Sequence, residues 1–423
     1  MIAVKAKSEH GIPRLQELGF LLTAASEVAR GGTYEDVRHA LIRTKAQLVG
    51  DTAPTGNTAA RRQGTEKAGH YVDNATGALA ELMRIELLDR APLPSTANAA
   101  KAYTETRFLL TDEGVMWLEL LEEQGEPAAL DALLRRLWKV HPQLRDYLRL
   151  LNAVDAFLVP ALPWSTVFPH GSGPEGRDVY VDALVAHVLE SGDTPHRGWS
   201  ATPDEVRQAI TAYTGRREAF AAKRGRPPYK RSRDFVAACD EAVTVLALHK
   251  AGVAVDYISF EILRRWTQDL LIANFSYWVP RPPSGLRAWS TATLTELDGA
   301  PEFARRPPGD NWVEPVQELL PEAFAAAVRQ EGGSSFASVW RVRAFVCASL
   351  HINDAAFDGA LRELQRRARR GEVPFDLAFE VSTTGAIPPT ERPFRGINDR
   401  YGREPVFSLI NVRRRQEGVR HDR

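Results

Sequence analysis

The sequence has few cysteines and no long hydrophobic run. Cys239 and Cys347 are the only cysteines among 423 residues; both lie in apolar patterns of helical spacing, and their separation does not fit a zinc motif. We therefore expect two small, buried thiols in a reducing compartment. No segment approaches the ~18 consecutive apolar residues of a membrane helix, and the opening MIAVKAKSEHGIPRLQELGF lacks a signal-peptide pattern. The chain is expected to be cytoplasmic and to have no membrane partner.

Net charge is also absent, since 54 Lys and Arg residues stand against 54 Asp and Glu residues. A balanced chain is not a general polyanion binder, so any nucleic-acid site must be local. The ten histidines are scattered without HExxH or HxH spacing, which predicts no metal site. No Walker-type loop is present, and GSGPEG at 171–176 lacks the preceding strand and βαβ alternation of a dinucleotide site. We therefore expect no cofactor.

A chain of 423 residues is long enough to form about two to four domains. Clusters of proline and glycine at 160–176 and 280–309 indicate connections between domains. Helical apolar spacing dominates elsewhere, which predicts a mainly α, multidomain fold with small β-hairpins. The predicted segments are an N-terminal domain at 1–125, a helical middle domain at 126–280 with a basic loop at 214–233, a Pro/Gly-rich linker with a short helix at 281–334, and a C-terminal domain at 335–423.

The N-terminal segment predicts three helices, a long hairpin and a further helix. Apolar residues at helical spacing over 14–30 end at Gly31, and Thr33 is expected to cap a second helix. A third helix is expected over about 72–84, and the two short apolar runs after it indicate a hairpin. Thr111, in RFLLTDEGVMWL, is expected to cap the next helix.

This order of elements, and above all the junction RFLLTDEGVMWL, resembles a winged helix-turn-helix domain of bacterial regulators over residues 14–124. The resemblance implies the fold and carries no information on operator, ligand or partner. In a DNA-binding winged helix, basic residues just before the third helix would grip the phosphate backbone beside it. Those residues are Arg61, Arg62 and Lys67.

The C-terminal segment resembles a second winged helix, with an unusually long wing. A helix over 336–350 leads through the turn HIND into a helix that Asn353 or Asp354 can cap and that runs to about Arg370. Strand-like runs at 375–382 and 405–412 follow. One face of the second helix carries a row of arginines, which could pair with phosphates or a guanine edge or could form a solvated face balanced by Glu363. The row consists of Arg362, Arg366 and Arg369.

A local basic cluster lies in AAKRGRPPYKRSRDF at 221–235, where Gly225 and two prolines predict an exposed loop between helices. The tetrad at 224–227, RGRP, resembles the core of an AT-hook, although Pro228 stands where that motif usually has another basic residue. The loop could contact phosphates without reading sequence, enter a minor groove, or be a solvated patch that meets an acidic partner. The candidate contacts are Lys223, Arg224, Arg226, Lys230, Arg231 and Arg233.

Two classes of function remain open from the sequence. The first is non-enzymatic binding of double-stranded DNA, in transcriptional regulation, plasmid or replication-associated binding, or a multi-gene DNA-defence system. The second is a scaffold or adaptor whose winged helices bind proteins, in a chromosome-organising or defence complex or as a homodimer. An enzyme is a third possibility, but the strand with Asp376 and Glu380 has Ser382 where a common metal-dependent nuclease pattern requires Lys.

Overall fold

A computed structural model describes residues 18–41, 77–90, 106–160, 162, 174–190, 195–196, 198–229, 232–276, 285–297, 299–305, 312–381, 394–397 and 405–414. The protein is mainly helical, with small sheets of two or three strands, which confirms the predicted class at that level. No helix within the described ranges is both long and apolar enough to cross a bilayer. The chain divides into two compact units: Met1–Tyr147 with Ala254–Leu270 and Thr295–Phe303, and Leu148–Val253 with Leu271–Leu294 and Ala304–Arg423.

The N-terminal part contains six helices and one hairpin within its described residues. They are α1 (Leu18–Ala29), α2 (34–41), α3 (77–84), β1 (Leu88–Arg90), β2 (Phe108–Leu110), α4 (Asp112–Gln124), α5 (Glu126–Val140) and α6 (Pro142–Ala153). The predicted cap at Thr33 is confirmed, because its backbone NH donates to Asp36 Oδ2 at 2.7 Å and its hydroxyl accepts from the Asp36 NH at 3.4 Å.

The junction between the hairpin and α4 follows the prediction. Strands β1 and β2 pair antiparallel, with Leu88 opposite Leu110. The Thr111 hydroxyl accepts from the Gly114 NH at 3.1 Å, which caps α4, and donates to the Glu86 carbonyl at 2.7 Å. A Cβ at Gly114 would lie 2.1 Å from the Leu87 carbonyl oxygen, so the sequence TDEG requires glycine where α4 crosses the hairpin.

The central part combines helices with short strands. It consists of β3 (Phe157–Pro160), α7 (Pro174–Glu190), α8 (Pro203–Ala222), α9 (Ser232–Lys250), α10 (Tyr257–Asp269), β4 (Ala273–Ser276), β5 (Gly285–Ser290), β6 (Ala292–Leu297) and β7 (Ala300–Arg305). Thr202 caps α8 in a reciprocal arrangement with Glu205. Strands β3, β5 and β4 form an antiparallel sheet in that order, in which Phe157 pairs with Ala288. This sheet was not predicted.

The C-terminal part forms one hydrophobic core from three helices and a three-stranded sheet. Its elements are α11 (Val313–Gln330), β8 (Ala337–Ser338), α12 (Val339–Leu350), α13 (Asp354–Arg370), β9 (Phe375–Glu380), β10 (Phe394–Arg395), β11 (Val406–Phe407) and β12 (Leu409–Arg414). The sheet order is β8-β12-β9, all antiparallel, and Ile410 lies between Ala337 and Phe379. The helix predicted from residue 336 begins at Val339, because Ala337 and Ser338 pair with β12.

Helix α11 belongs to the same core as α12 and α13. Leu320 and Ala323 of α11 are fully buried in one cluster with Phe345 of α12 and Phe357 of α13. Pro321 lies inside α11 without ending it. The packing unit around α13 therefore includes residues that the sequence analysis assigned to the linker at 281–334.

Candidate nucleic-acid interface

The structure describes some of the predicted basic residues and not others. Three of them, Arg61, Arg62 and Lys67, lie outside the described residues, as do Lys230 and Arg231. The side chain of Arg233, in the first turn of α9, is also not described. The remaining candidates lie on two surfaces of the second unit: the basic loop (residues 223–228) and the α13 arginine face, which is Arg362, Arg366 and Arg369.

Caps and apolar spacing hold α13 in the predicted orientation. Asn353 is the N-cap, and its side chain accepts from the Ala356 NH at 2.8 Å. Gly371 ends the helix with a φ of 79°, a left-handed conformation that favours glycine. Phe357 and Leu361 are completely buried on the core side. The opposite side faces solvent, where Arg366 and Arg369 are exposed and Arg362 is half-buried.

A buried ion pair fixes α13 against α12. Arg343 of α12 is 1% exposed, and its Nε and Nη2 donate to the two carboxylate oxygens of Asp358 at 3.1 and 3.3 Å. Asp354 lies 4.0 Å from the same guanidinium. A two-point contact between planar groups restricts rotation as well as distance. The pair therefore sets the angle at which α13 presents its outer face.

Carboxylates occupy part of the basic surface of α13. Arg366 lies 3.0 Å from Glu363, and Arg367 lies 2.9 Å from Glu314 of α11. The hydrogen bond between the last two raises the pKa of Arg367 and lowers that of Glu314. Arg370 pairs with Glu372 at 2.6 Å. Neither Arg362 nor Arg369 lies within ion-pair distance of a carboxylate in the described part of the chain.

A polar side chain inside the core connects α13 to the segment at 394–397. Gln365 is 5% exposed, and its Oε1 accepts from the Ile397 NH at 3.0 Å, next to the small sheet β10–β11. A Cβ at Gly396 would lie 2.6 Å from the Phe407 ring, so the backbone can pass this ring only with glycine at this position. Beside Gln365 is an open pocket of about 370 Å³ whose lining includes Arg369 and Asp376. The sequence analysis missed this connection, because a lone Gln in an amphipathic helix gives no signal of burial.

The basic loop is shorter than the predicted 214–233, because α8 continues to Ala222 and α9 begins at Ser232. All of its residues are exposed and non-helical, and Gly225 has a φ of 60°. The loop joins α8 to α9 and is anchored by Tyr229, whose ring packs edge-on against Phe235 at 5.3 Å. The Tyr229 hydroxyl donates to the Thr214 carbonyl at 3.4 Å. This buried anchor lets the chain turn back while the cationic residues before it remain in solvent.

Sequence analysis missed the residue beside this loop. Helix α8 was expected to end near Tyr213, but it continues to Ala222 and therefore places Phe220 in its last turn. The Phe220 side chain is 58% exposed, and the Arg224 guanidinium lies 4.3 Å from the centre of its ring. The available signal was the recurrence of Arg216 and Phe220 at i and i+4, which places both on one face of a helix.

The carboxylates considered for nuclease chemistry lie on a solvent-facing side of β9. Asp376 and Glu380 are both exposed, and they alternate with more buried neighbours along the strand. Within the described ranges, no group of three or more His, Cys, Asp and Glu side chains is placed to hold a metal ion. Both cysteines are buried free thiols, as expected.

In comparisons with known proteins, no family model, curated protein or solved structure matches this chain.

Proposed function

We propose that the protein binds double-stranded DNA without chemistry of its own, through a C-terminal winged helix whose recognition helix is α13. The observation that carries the proposal is the order α11-β8-α12-α13-β9-β12 around one core, with an antiparallel sheet and an outward row of arginines. Helix α12, the turn at 351–353 and α13 correspond to the helix-turn-helix, and β9 with β12 to the wing. This assignment begins the domain at α11.

The N-terminal elements support a second winged helix in the same proposal. The described order is three helices, the β1–β2 hairpin and the Thr111-capped α4. Fitting biological roles are transcriptional regulation, plasmid or replication-associated binding, and a multi-gene DNA-defence system in a cytoplasmic setting.

The basic loop would add phosphate contacts to those of α13. It presents three exposed cationic side chains at the end of a helical hairpin: Lys223, Arg224 and Arg226. Phosphate contacts position a protein on DNA and carry no sequence information directly.

The decisive experiment measures duplex binding across a salt series. Two double variants remove the same charge from α13: Arg362→Ala/Arg369→Ala takes away arginines without a carboxylate partner, and Arg367→Ala/Arg370→Ala takes away arginines that have one. Since each phosphate contact contributes about −0.9 to the slope of log K against log salt, the first variant should flatten the slope by about 2. Affinity at low salt should fall roughly 10- to 100-fold. The control variant should change both quantities much less.

Adding Arg366→Ala to the first variant completes the α13 arginine face and should weaken binding further. Circular dichroism should show unchanged helix content, since all three sites reach solvent and Ala has the highest helix propensity. A folded triple variant with unchanged affinity would remove α13 from the DNA surface.

The second candidate function is an adaptor whose winged helices bind protein, with a homodimer as one form. The observation that favours it is the pairing of Arg366, Arg367 and Arg370 with carboxylates, which reduces the charge left for phosphates. A wild-type protein whose weak DNA binding shows little salt dependence would support this candidate instead.

A further inference from the structure

Phe220 is an exposed aromatic ring in a strongly cationic setting. Of the exposed large hydrophobic side chains in the described ranges, only Phe220 is aromatic. A single exposed apolar residue needs no explanation by itself. Here, however, the ring is already stacked under Arg224, with 4.3 Å between the guanidinium carbon and the ring centre. The pair therefore places a guanidinium over an aromatic ring at the end of α8.

Further cations lie along the same stripe of α8. Arg216 precedes the ring by four residues and Lys223 follows it by three, so both project on its side of the helix, and both are exposed. Residues 212–229 contain five basic side chains and one acidic one, Glu218, which lies 3.9 Å from Arg177 of α7. The next acid along the chain, Asp234, is half-buried in α9. Arg217 pairs with Glu241 of α9 at 3.3 Å, so the cations that flank the ring along the helix are Arg216 on one side and Lys223 on the other.

We infer that Phe220 and Arg224 form a stacking platform for an unpaired base of DNA, while Arg216 and Lys223 contact the neighbouring phosphates. This inference rests on the proposed DNA binding and adds a preference for DNA with locally opened strands. An aromatic ring stacks on any base, because every base has a π-face, and a positive groove follows the backbone. A closed duplex already stacks its bases on each other, so only an opened strand offers a free base to this ring.

A protein partner is the less fitting occupant. A hydrophobic docking site would need neighbouring apolar surface, but the other exposed residues of this stripe are charged or are alanines. Proteins that recognise single strands typically combine aromatic rings and planar guanidinium groups, on which bases stack, with nearby cationic side chains that bind phosphates.

The test uses the full chain and three fluorescein-labelled probes of one sequence: a duplex, the same duplex with a short central bubble, and the single strand. Wild-type protein should bind the bubble more tightly than the closed duplex. Phe220→Ala should weaken binding to bubble and single strand roughly 5- to 100-fold and leave the duplex unchanged. Phe220→Tyr should keep the preference because it keeps the ring. Phe220→Leu, which keeps apolar bulk without a π-face, should lose it.

A second readout reports stacking directly. A 2-aminopurine base placed in the bubble loses emission when it stacks, so wild-type protein should quench it and Phe220→Ala should not. Phe220 is exposed, so none of these substitutions removes a core contact. Helix content by circular dichroism checks the fold of each variant.

Three results would overturn the platform. They are equal affinity of wild-type and Phe220→Ala protein for the bubble, full retention of the bubble preference in Phe220→Leu, and an equal loss on bubble and closed duplex. The last would indicate an apolar wedge in a closed minor groove. Failure of the proposed function itself looks different, since wild-type protein would then bind none of the three probes at low salt.

Discussion

Breaking the buried pair between Arg343 and Asp358 tests whether α13 is held at a fixed angle. In Asp358→Ala the guanidinium of Arg343 loses its two-point contact at 3.1 and 3.3 Å, and Asp354 lies 4.0 Å from it. Removing one partner of a buried ion pair costs about 3–5 kcal/mol, because the remaining charge stays desolvated. Arg343→Met should cost less, because an isolated buried carboxylate can take up a proton. The double variant Arg343→Met/Asp358→Leu should be closer to wild type than Asp358→Ala, since no buried charge is left alone.

The chain offers a local reporter for this experiment. Cys347 in α12 is fully buried, and its Sγ lies 3.6 Å from the Asn353 carbonyl, at the turn into α13. In a Cys239→Ala background it is the only thiol, so its labelling rate under native conditions reports opening of this core. A loss of 3–5 kcal/mol corresponds to labelling roughly 10²- to 10⁴-fold faster.

The reasoning would be refuted if Asp358→Ala labelled no faster than the Cys239→Ala parent. It would also fail if the double variant labelled as fast as Asp358→Ala, because the cost would then come from lost packing and not from an uncompensated charge. The cycle of single and double variants separates these two causes.

Two further predictions concern α8 and α9. Arg224→Gln/Arg226→Gln should weaken binding to all closed duplexes about equally and flatten the salt slope, measured by anisotropy on A·T-rich and G·C-rich duplexes; a larger loss on the A·T-rich duplex would indicate minor-groove entry. Burial raises the pKa of Asp240 in α9 to about 7, while a hydrogen bond from Tyr180 at 3.4 Å opposes the shift. The folded state then holds a proton that the unfolded chain releases near pH 4, so the stability from this group is complete below about pH 4 and is lost as the pH rises through 7. Asp240→Asn should therefore gain on the order of 3 kcal/mol over wild type at pH 8 and little at pH 4, measured by chemical denaturation; equal pH dependence in both proteins would contradict this.

Local signals predicted local structure in this chain. Thr33, Thr111 and Asn353 each form the predicted cap, because a cap depends on a side chain and the next three backbone amides. The exposed form of the basic loop followed from Gly225 and two prolines, which act on their own backbone. The faces of helices could also be predicted from the sequence, since periodicity alone places Phe357 and Leu361 opposite the arginine row.

Structural features that depend on contacts between residues far apart in the chain could not be predicted from the sequence. Strand β3 is four residues long and pairs with β5, far along the chain, so its residues were predicted as part of a helical stretch. Strand β8 is two residues long and exists only through β12. The same reason applies to single side chains: the carboxylate that meets Arg367 comes from α11, and the amide that meets Gln365 is that of Ile397, beyond β9. No spacing rule relates such positions.

The direction of α13 bears on what its arginines can do. In helix-turn-helix proteins the N-terminal residues of the recognition helix contact base edges. The first turns of α13 carry Asp354 and Asp358, whereas its arginines lie in the second half. Cations near a helix C-terminus are also favoured by the helix dipole, so part of this cluster has a structural cause. The exposed ion pairs on this half contribute only about 0–1 kcal/mol each, and a phosphate can compete for them at little cost. The position of the arginines and the low cost of breaking their ion pairs favour backbone contacts over base readout, so under the proposed function α13 would position DNA of many sequences. Selectivity would then come from the state of the DNA, which is the property that a platform at Phe220 can sense.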